Sequence, residues 1–394
     1  MPALTARHVP RAAARLARAF TTPNPLPATF IRGGTSKGIF IAAKHLPPSR
    51  DEWTPIFRGV MGSPDPYGRQ LNGMGGGISS LSKICVVGGG AGRHDHDVAY
   101  TFVQVGIRDG VLDFSGNCGN LTAAIGIFAL DEGLCRIPSP ETLPEEAGSG
   151  RRKATLSLLN TNTAKVVRTQ FSVERSTGLA VTNEPEITIA GVAGKGSRVV
   201  LEFLDPAGAK TGKLLPTGSA RDGVRLASGR TVVMSCVDAT NPTVFVPATD
   251  IFADLGDFFA AAWPDAVFPV LEEIRRAAAV KMGLDPTTQA QPKICLVAPP
   301  SGDAGSPCHV AAKALSMGVL HKAIPSTVAL CLAAAAGMRA NVVQQLVGDG
   351  SGGDVAVEIP GGVVGLKATF DGEEVKSVAI ERTARKLMRG EVYW

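Results

Sequence analysis

This chain of 394 residues has no acidic residue before Asp51. The same stretch carries Arg7, Arg11, Arg15 and Arg18 in an Ala/Leu-rich background. That is the composition of a mitochondrial transit peptide, with Arg18-Ala19-Phe20 as the expected cleavage context, and also of an ordinary basic tail. Residues 1–29 are therefore left outside the fold, and the expected location is mitochondrial if they are a transit peptide and cytoplasmic otherwise. No C-x-x-C spacing occurs among the seven cysteines, at 85, 118, 135, 236, 295, 308 and 331. An odd, scattered set excludes a disulfide framework and points to a reducing compartment. The six histidines are equally dispersed. Their one local cluster, His94-Asp95-His96-Asp97, reads as a solvated loop rather than a metal site, since no further ligand set accompanies it. No basic stripe follows Phe30 and the formal charge is only +5, which excludes a nucleic-acid binder. No apolar run is long enough for a membrane span, and Ala323 to Met338 reads as a buried helix. A G-x-G-x-x-G fingerprint is absent too: Gly88-Gly89-Gly90-Ala91-Gly92 runs into a polar, turn-like segment, not a helix.

What is present is a chain with 19% charged residues and high aliphatic content, long enough for two domains. Short strand-like runs recur at Phe30 to Ile41, Ser82 to Val87, Tyr100 to Val105, Thr155 to Leu159, Lys165 to Phe171, Arg198 to Phe203, Thr231 to Ser235, Thr243 to Pro247, Lys293 to Val297 and Val355 to Ile359. Two segments, Leu121 to Leu134 and Pro325 to Gly337, are apolar on every side. Such helices must be enclosed, and each follows a group of strands. The expected class is α+β: two similar halves, each a curved sheet wrapped around one apolar helix. The order is not βαβα, so a doubly wound sheet is not expected. The boundary is placed in the loop-rich stretch Asn183 to Arg198, giving halves 30–190 and 191–394, with the C-terminal end packing back on the first. Pro138 to Lys153 reads as a surface insertion.

Ser115-Gly116-Asn117-Cys118-Gly119-Asn120 stands just before the first apolar helix, with Asn120 as the expected N-cap. A helix start offers unpaired N–H groups and partial positive charge, which lower a thiol pKa and bind carboxylates. Cys118 is either a reactive thiol beside an anionic substrate or a buried structural cysteine, and this motif alone leaves both open.

Gly73-Met74-Gly75-Gly76-Gly77-Ile78-Ser79-Ser80-Leu81-Ser82-Lys83 runs into Ile84-Cys85-Val86-Val87. With Ile31-Arg32-Gly33-Gly34-Thr35-Ser36-Lys37-Gly38, Met61-Gly62-Ser63-Pro64-Asp65, Asp238-Ala239-Thr240-Asn241-Pro242, Ser316 to Ala323 and Arg382-Thr383-Ala384-Arg385, these segments resemble the PrpF family. Its members are cofactor-independent methylaconitate and aconitate isomerases. The resemblance spans Phe30 to Trp394.

It implies a fold similar to diaminopimelate epimerase: two pseudo-symmetric β-barrel-like halves with the active site in the cleft between them. It also implies no cofactor and no metal, and a C=C shift in an unsaturated tricarboxylate such as cis-aconitate or 2-methylaconitate. One proton leaves the carbon beside a carboxylate and another is added two carbons away. Lys83 and Cys118 match the family's acid/base positions; without that match Lys83 would read as a surface lysine in a Ser-rich turn. The epimerase relatives carry a cysteine at each of two helix starts. Here the motif before the second helix reads Ser316-Met317-Gly318, with Cys308 as a remoter second thiol, which favours a Cys/Lys arrangement. Cys85, Cys135, Cys236, Cys295 and Cys331 are expected to be structural.

The carboxylates are expected to meet the Gly-rich loops through Gly34, Thr35, Ser36, Gly75 and Ser80, with Arg32, Lys37 and Arg69 as nearby cations. Asn117, Gly119, Asn120, Ser316 and Met317 are expected at the same site, as are Ser351 and Gly352. Asp349-Gly350 stands where the family shows His-Pro, which weakens that last pair. Expected partners are a small tri- or dicarboxylate and, as an open option, a second copy of the chain as a homodimer. The competing readings are an α-centre racemase or epimerase, an oxalomesaconate-type keto–enol tautomerase, and a non-enzymatic accessory protein of an aconitase-type dehydratase.

Overall fold

A computed structural model of the chain describes residues 22–90, 95–146, 149–302, 308–348 and 353–394. The expectations for residues 1–21, His94, Ser351 and Gly352 fall outside these. The first elements are β1 (Leu26–Gly33), β2 (Ser36–Ala42), α1 (Trp53–Met61), β3 (Lys83–Gly89), β4 (Val98–Val105), β5 (Leu112–Asp113), α2 (Gly119–Asp131), β6 (Arg152–Asn160), β7 (Lys165–Val173) and β8 (Arg198–Leu204). Then come β9 (Asp222–Arg225), β10 (Thr231–Ala239), β11 (Asn241–Pro247), α3 (Leu255–Phe259), α4 (Val267–Lys281), β12 (Lys293–Ala298), β13 (Val310–Ser316) and β14 (Val319–Leu320). The chain closes with α5 (Ser326–Gly337), α6 (Val342–Val347), β15 (Asp354–Ile359), β16 (Gly362–Asp371) and β17 (Glu374–Val392).

Strand pairing repeats. β1 and β2 form an antiparallel hairpin, β2 runs parallel to β3, β3 antiparallel to β4, β4 parallel to β6, and β6, β7 and β8 follow antiparallel. β10 to β13, then β15, β16 and β17, reproduce the same sequence of senses. β17 then pairs with both β8 and β1, which closes an eight-stranded barrel, β1-β2-β3-β4-β6-β7-β8-β17. The architecture is α+β and pseudo-symmetric, with α2 enclosed by the barrel and α5 by the second sheet.

The reason lies in the two helices. Leu121, Ala124, Ile125 and Ala129 of α2 are fully buried, as are Val328 to Ala335 of α5. Burying each large aliphatic side chain contributes roughly 1.5–3 kcal/mol, a gain that requires apolar strands on every side. Gly126 allows a close approach: a Cβ there would lie 2.8 Å from Thr169 Cγ2 on β7.

Three local expectations are corrected. Phe30 to Ile41 is a hairpin, turned at Gly34 and Thr35, not one strand. Ser316 to Ala323 precedes α5 as expected, but Ser316-Met317-Gly318 is not itself a helix start: Met317 and Gly318 have φ of 53° and 73°, the geometry of a tight hairpin turn, and β13 folds back as β14. His96 is not in a solvated loop; it is 5% exposed, with Nδ1 2.9 Å from Asp95 Oδ1. The loop Asn183 to Arg198 lies between β7 and β8, which pair with each other. Helices α1 and α4 and the long strand β17 had no counterpart in the sequence reading.

Candidate active site

The N-termini of α2 and α5 meet. A Cβ on Gly119 would lie 3.0 Å from Ser326 Cβ, so only glycine lets the two helix starts come this close without displacing the serine. The first N–H groups of a helix have no intrahelical acceptor and carry partial positive charge. Here two such ends converge on one cleft, lined by Cys118, Gly119 and Asn120 on one side and Pro325, Ser326 and Thr327 on the other.

Cys118 is the N-cap of α2, with extended backbone, and its carbonyl accepts from the Thr122 N–H (3.0 Å) and Thr122 Oγ1 (3.1 Å). This corrects the expected cap: Asn120 already lies inside the helix. Its side chain is buried and reaches across the seam. Nδ2 donates to Thr35 Oγ1 (3.1 Å), while Oδ1 accepts from Ser326 Oγ (2.6 Å) and Arg382 Nε (3.2 Å). The Cys118 thiol is directed at Ser36 Oγ, 3.9 Å away.

Lys83 opens β3 and lines the same cleft as Cys118. Its Nζ donates to Gln104 Oε1 (2.5 Å) and lies 5.0 Å from the Phe102 ring centroid. Gln104 is oriented for this, because its Nε2 donates to the carbonyls of Ser79 (3.1 Å) and Ser82 (2.8 Å). Lys293 opens β12 on the opposite side and donates to Ser316 Oγ at 3.4 Å. Burial, and then the Lys83 charge, lower its pKa to about 8. His321 also faces the cleft. Burial pulls its pKa down to about 4, and its Nδ1 accepts from the Ala323 N–H (3.1 Å), which leaves the ring proton on Nε2. Below the seam, the buried Arg382 donates through Nε to Asn120 and to Ser326 Oγ (3.0 Å), and burial holds its guanidinium well below the usual arginine range. Among the described residues no carboxylate forms an ion pair with Lys83, Lys293 or Arg382, and Asp113 is the one acid lining the cleft.

Of the residues singled out from sequence, Ser36, Ser80, Lys83, Asn117, Cys118, Gly119, Asn120, Ser316 and Met317 come together here. Thr35 and Gly34 stand directly behind Asn120. Gly34 has φ of 51°, and a Cβ on it would lie 2.1 Å from Asn120 Oδ1. Four expected residues are not brought to the cleft. Lys37 lies over the Phe30 ring, its Nζ 5.6 Å from the centroid. Arg32 is turned to the β17 side, where NH1 donates to the Gly34 carbonyl (2.9 Å) and to Thr383 Oγ1 (3.0 Å). Arg69 is exposed on the loop after α1, its N–H held by Asp65 Oδ2 (2.8 Å). Gly75 packs on the Gln70 amide.

Cys308 does not line the cleft, and the residue equivalent to Cys118 at the start of α5 is Pro325. Burial raises the thiols of Cys85, Cys135, Cys236, Cys295 and Cys331 above the ordinary cysteine range.

The sequence did not single out Lys293, His321, Asn241, Gln291 or Arg382 as site residues, although His321, Asn241 and Arg382 lie in segments that carry the resemblance. Gln291 crosses the seam, its Nε2 donating to the Ser115 carbonyl (3.1 Å) and Asn241 Oδ1 (3.3 Å). A signal for Lys293 was available: it opens a strand in the second half as Lys83 does in the first.

A 2-methyl-aconitate isomerase of Cupriavidus necator is 35% identical over 398 residues, covering 93% of this chain and 96% of the relative. A 3-methylitaconate isomerase of Eubacterium barkeri is 33% identical over 391 residues, covering 93% and 97%. The crystal structure of a methylitaconate-delta-isomerase superposes with a TM-score of 0.73 at 32% identity, covering 95% of this chain and 96% of that one. The family model described as PrpF protein matches residues 24–394, and the chain belongs to the PrpF family.

Proposed function

We propose that this protein is an isomerase that shifts a C=C bond within an unsaturated tri- or dicarboxylate, working in the cleft between its two halves. The observation that carries the reading is charge. Among the described residues, Lys83 and Lys293 line the cleft where two helix N-termini converge and have no ion-pair partner, Arg382 donates to Asn120 and Ser326 behind those helix ends, and Asp113 is the one lining acid. A site of this kind attracts a polyanion and stabilises the charge that moves onto a carboxylate when the neighbouring carbon loses a proton.

The carboxylates are held by the start of α2, by Ser36 and Ser326, and by the cations below them. Loss of a proton from the carbon beside a carboxylate gives an extended enolate. Protonation two carbons away completes the shift. Cys118 serves one carbon and a lysine amine the other, Lys83 being the amine singled out by the sequence. Names of relatives support the substrate class, because both isomerases act on branched unsaturated carboxylates. Residues 30–190 and 191–394 are taken as the two working units, with β8 and β17 of the second completing the barrel of the first.

The test is incubation with cis-aconitate, 2-methylaconitate and oxalomesaconate in D₂O, followed by proton NMR. Deuterium at the carbon where the double bond began, with a shifted product, supports the reading. Exchange with a keto–enol product would instead favour the tautomerase. No exchange and no product with any unsaturated carboxylate would reject it.

A further inference from the structure

A second groove, of about 540 Å³, shares no lining residue with the cleft that holds Cys118. Its floor is the outer face of a sheet. Val355 and Val357 of β15, Val364 and Leu366 of β16 and Val378 and Ile380 of β17 turn into the core. Side chains alternate along a strand, so Ala356, Gly365 and Ala379 face the other way and line the groove. Ile187 and Ile189, from the loop between β7 and β8, form its wall. That loop is fixed by paired backbone bonds between Ile187 and Gly196, 3.1 and 2.9 Å long. Thr35 and Arg382 stand at the end nearest the cleft, since both bond to Asn120.

Two features of this groove point to a ligand. The first is Gly365. It lies in the middle of β16, opposite Ala356, and a Cβ on it would meet nothing within 4 Å. Neither a turn nor packing requires glycine there, and glycine weakens a strand interior. What the missing side chain leaves is open space along the floor. The second feature is Arg382, which is only 6% exposed. Nε donates to Asn120 and Ser326, and Nη1 donates to the Glu381 carbonyl (2.9 Å). Among the described residues, Nη2 makes no hydrogen bond and no carboxylate pairs with the guanidinium. The neighbouring acids are already matched: Asp354 lies 3.7 Å from Lys367, and Glu381 lies 3.5 Å from Arg198. The charge left over is positive, buried and beside apolar walls, a state that an anion relieves.

We propose that this groove binds an aliphatic monocarboxylate, with the carboxylate on Arg382 and the chain laid over Ala356, Gly365 and Ala379 beneath Ile187 and Ile189. One unmatched cation calls for one carboxylate. The apolar floor and wall call for a chain without further charge, which separates this ligand from the tri- or dicarboxylate of the cleft. The volume falls within the range of small-molecule sites. The site goes beyond the isomerase reading and does not depend on it, because occupancy is measured without turnover.

The test is calorimetric titration of the full chain with sodium octanoate below its micellar concentration, and with 1-octanol, for the wild type and Gly365→Leu. Octanoate should bind the wild type about tenfold or more tighter than 1-octanol, the carboxylate supplying the difference. The leucine enters open space on a strand, so the variant should fold with Tm unchanged or raised. It should also fill the floor and weaken octanoate binding by about tenfold or more. Absence of octanoate binding to the wild type, or equal affinity for 1-octanol, would overturn the proposal. Undiminished binding in Gly365→Leu would place octanoate in another cavity and overturn it too. So would a wild-type dimer that the leucine splits on size-exclusion chromatography, since a second copy would then occupy the groove. A wild type inactive on every unsaturated carboxylate would overturn the isomerase reading and leave this site standing.

Discussion

Asn120 and Arg382 meet at the seam of the molecule, where Nε of the arginine donates to the asparagine Oδ1 at 3.2 Å. Arg382 comes from β17 and Asn120 from the first turn of α2, so the contact ties the closing strand to the start of the helix that carries Cys118 at its cap. The same Oδ1 accepts from Ser326 at the head of α5. One amide oxygen therefore holds three elements around the proposed anion site. Asn120→Asp should keep the arginine and serine contacts, with Tm unchanged or raised. It should also place a negative charge among the helix ends and weaken tricarboxylate affinity by about tenfold or more. Calorimetric titration alongside thermal unfolding would check this; unchanged affinity would remove the anion site from this seam.

Cys118→Ser should fold normally and lose about 100-fold or more in kcat, since a hydroxyl is a far poorer proton donor than a thiol near neutral pH. In the wild type, alkylation should inactivate in step with labelling at Cys118 and be slowed by a bound tricarboxylate. The buried Cys85, Cys236, Cys295 and Cys331 should label only on unfolding. Peptide mass spectrometry on partially inactivated protein reads this directly, and inactivation that follows another cysteine would contradict it.

Gly34→Ala should damage both stability and activity. The left-handed backbone at Gly34 costs an L-residue about 1 kcal/mol or more, and the new Cβ would lie 2.1 Å from Asn120 Oδ1. Asn120 must then move, loosening the start of α2. Expected are a Tm lowered by several degrees and a kcat loss greater than that of Gly133→Ala, whose Cβ would meet nothing within 4 Å. Equal effects from the two substitutions would show that the contact with Asn120 does not matter.

His321 gives the fold an acid-sensitive point. Its pKa falls from 6.5 to about 4 on folding, so the unfolded chain binds the proton more tightly. Stability is full above pH 6.5, falls as pH drops through this window, and by pH 4 has lost about 3 kcal/mol from this group alone. His321→Asn retains an acceptor for the Ala323 N–H and cannot titrate. Its Tm should fall less than that of the wild type between pH 6.5 and 4. Parallel curves for the two proteins would assign the acid sensitivity elsewhere.

The two central helices were legible in the sequence because they are apolar on every face, and nothing but enclosure accounts for that. Cys118 was legible because glycine and asparagine flank it just before such a helix. Asn120 was misread for a physical reason: a polar residue at a helix start ordinarily caps it, but here its partners lie on β17, on α5 and in the β1–β2 turn, hundreds of residues away for two of the three. β17 was legible only as a C-terminal end that packs back on the first half, not as a strand. Its run Glu381 to Arg389 is rich in charge and resembles a solvated tail, yet it is held as a strand by β8 and β1. Lys293 acquires meaning only once the two halves are superimposed in topology, a relation that no local pattern carries.

Because β17 supplies the eighth stave of the first barrel, the order of synthesis and the order of folding cannot coincide. A chain leaving the ribosome can form β1 through β8 and the apolar α2, but the gap between β1 and β8 stays open until residues 377–392 emerge. Over most of translation α2 lies in a sheet with two bare edges, a state that invites chaperone capture. A release before residue 377 would leave that gap permanent, however complete the catalytic residues upstream.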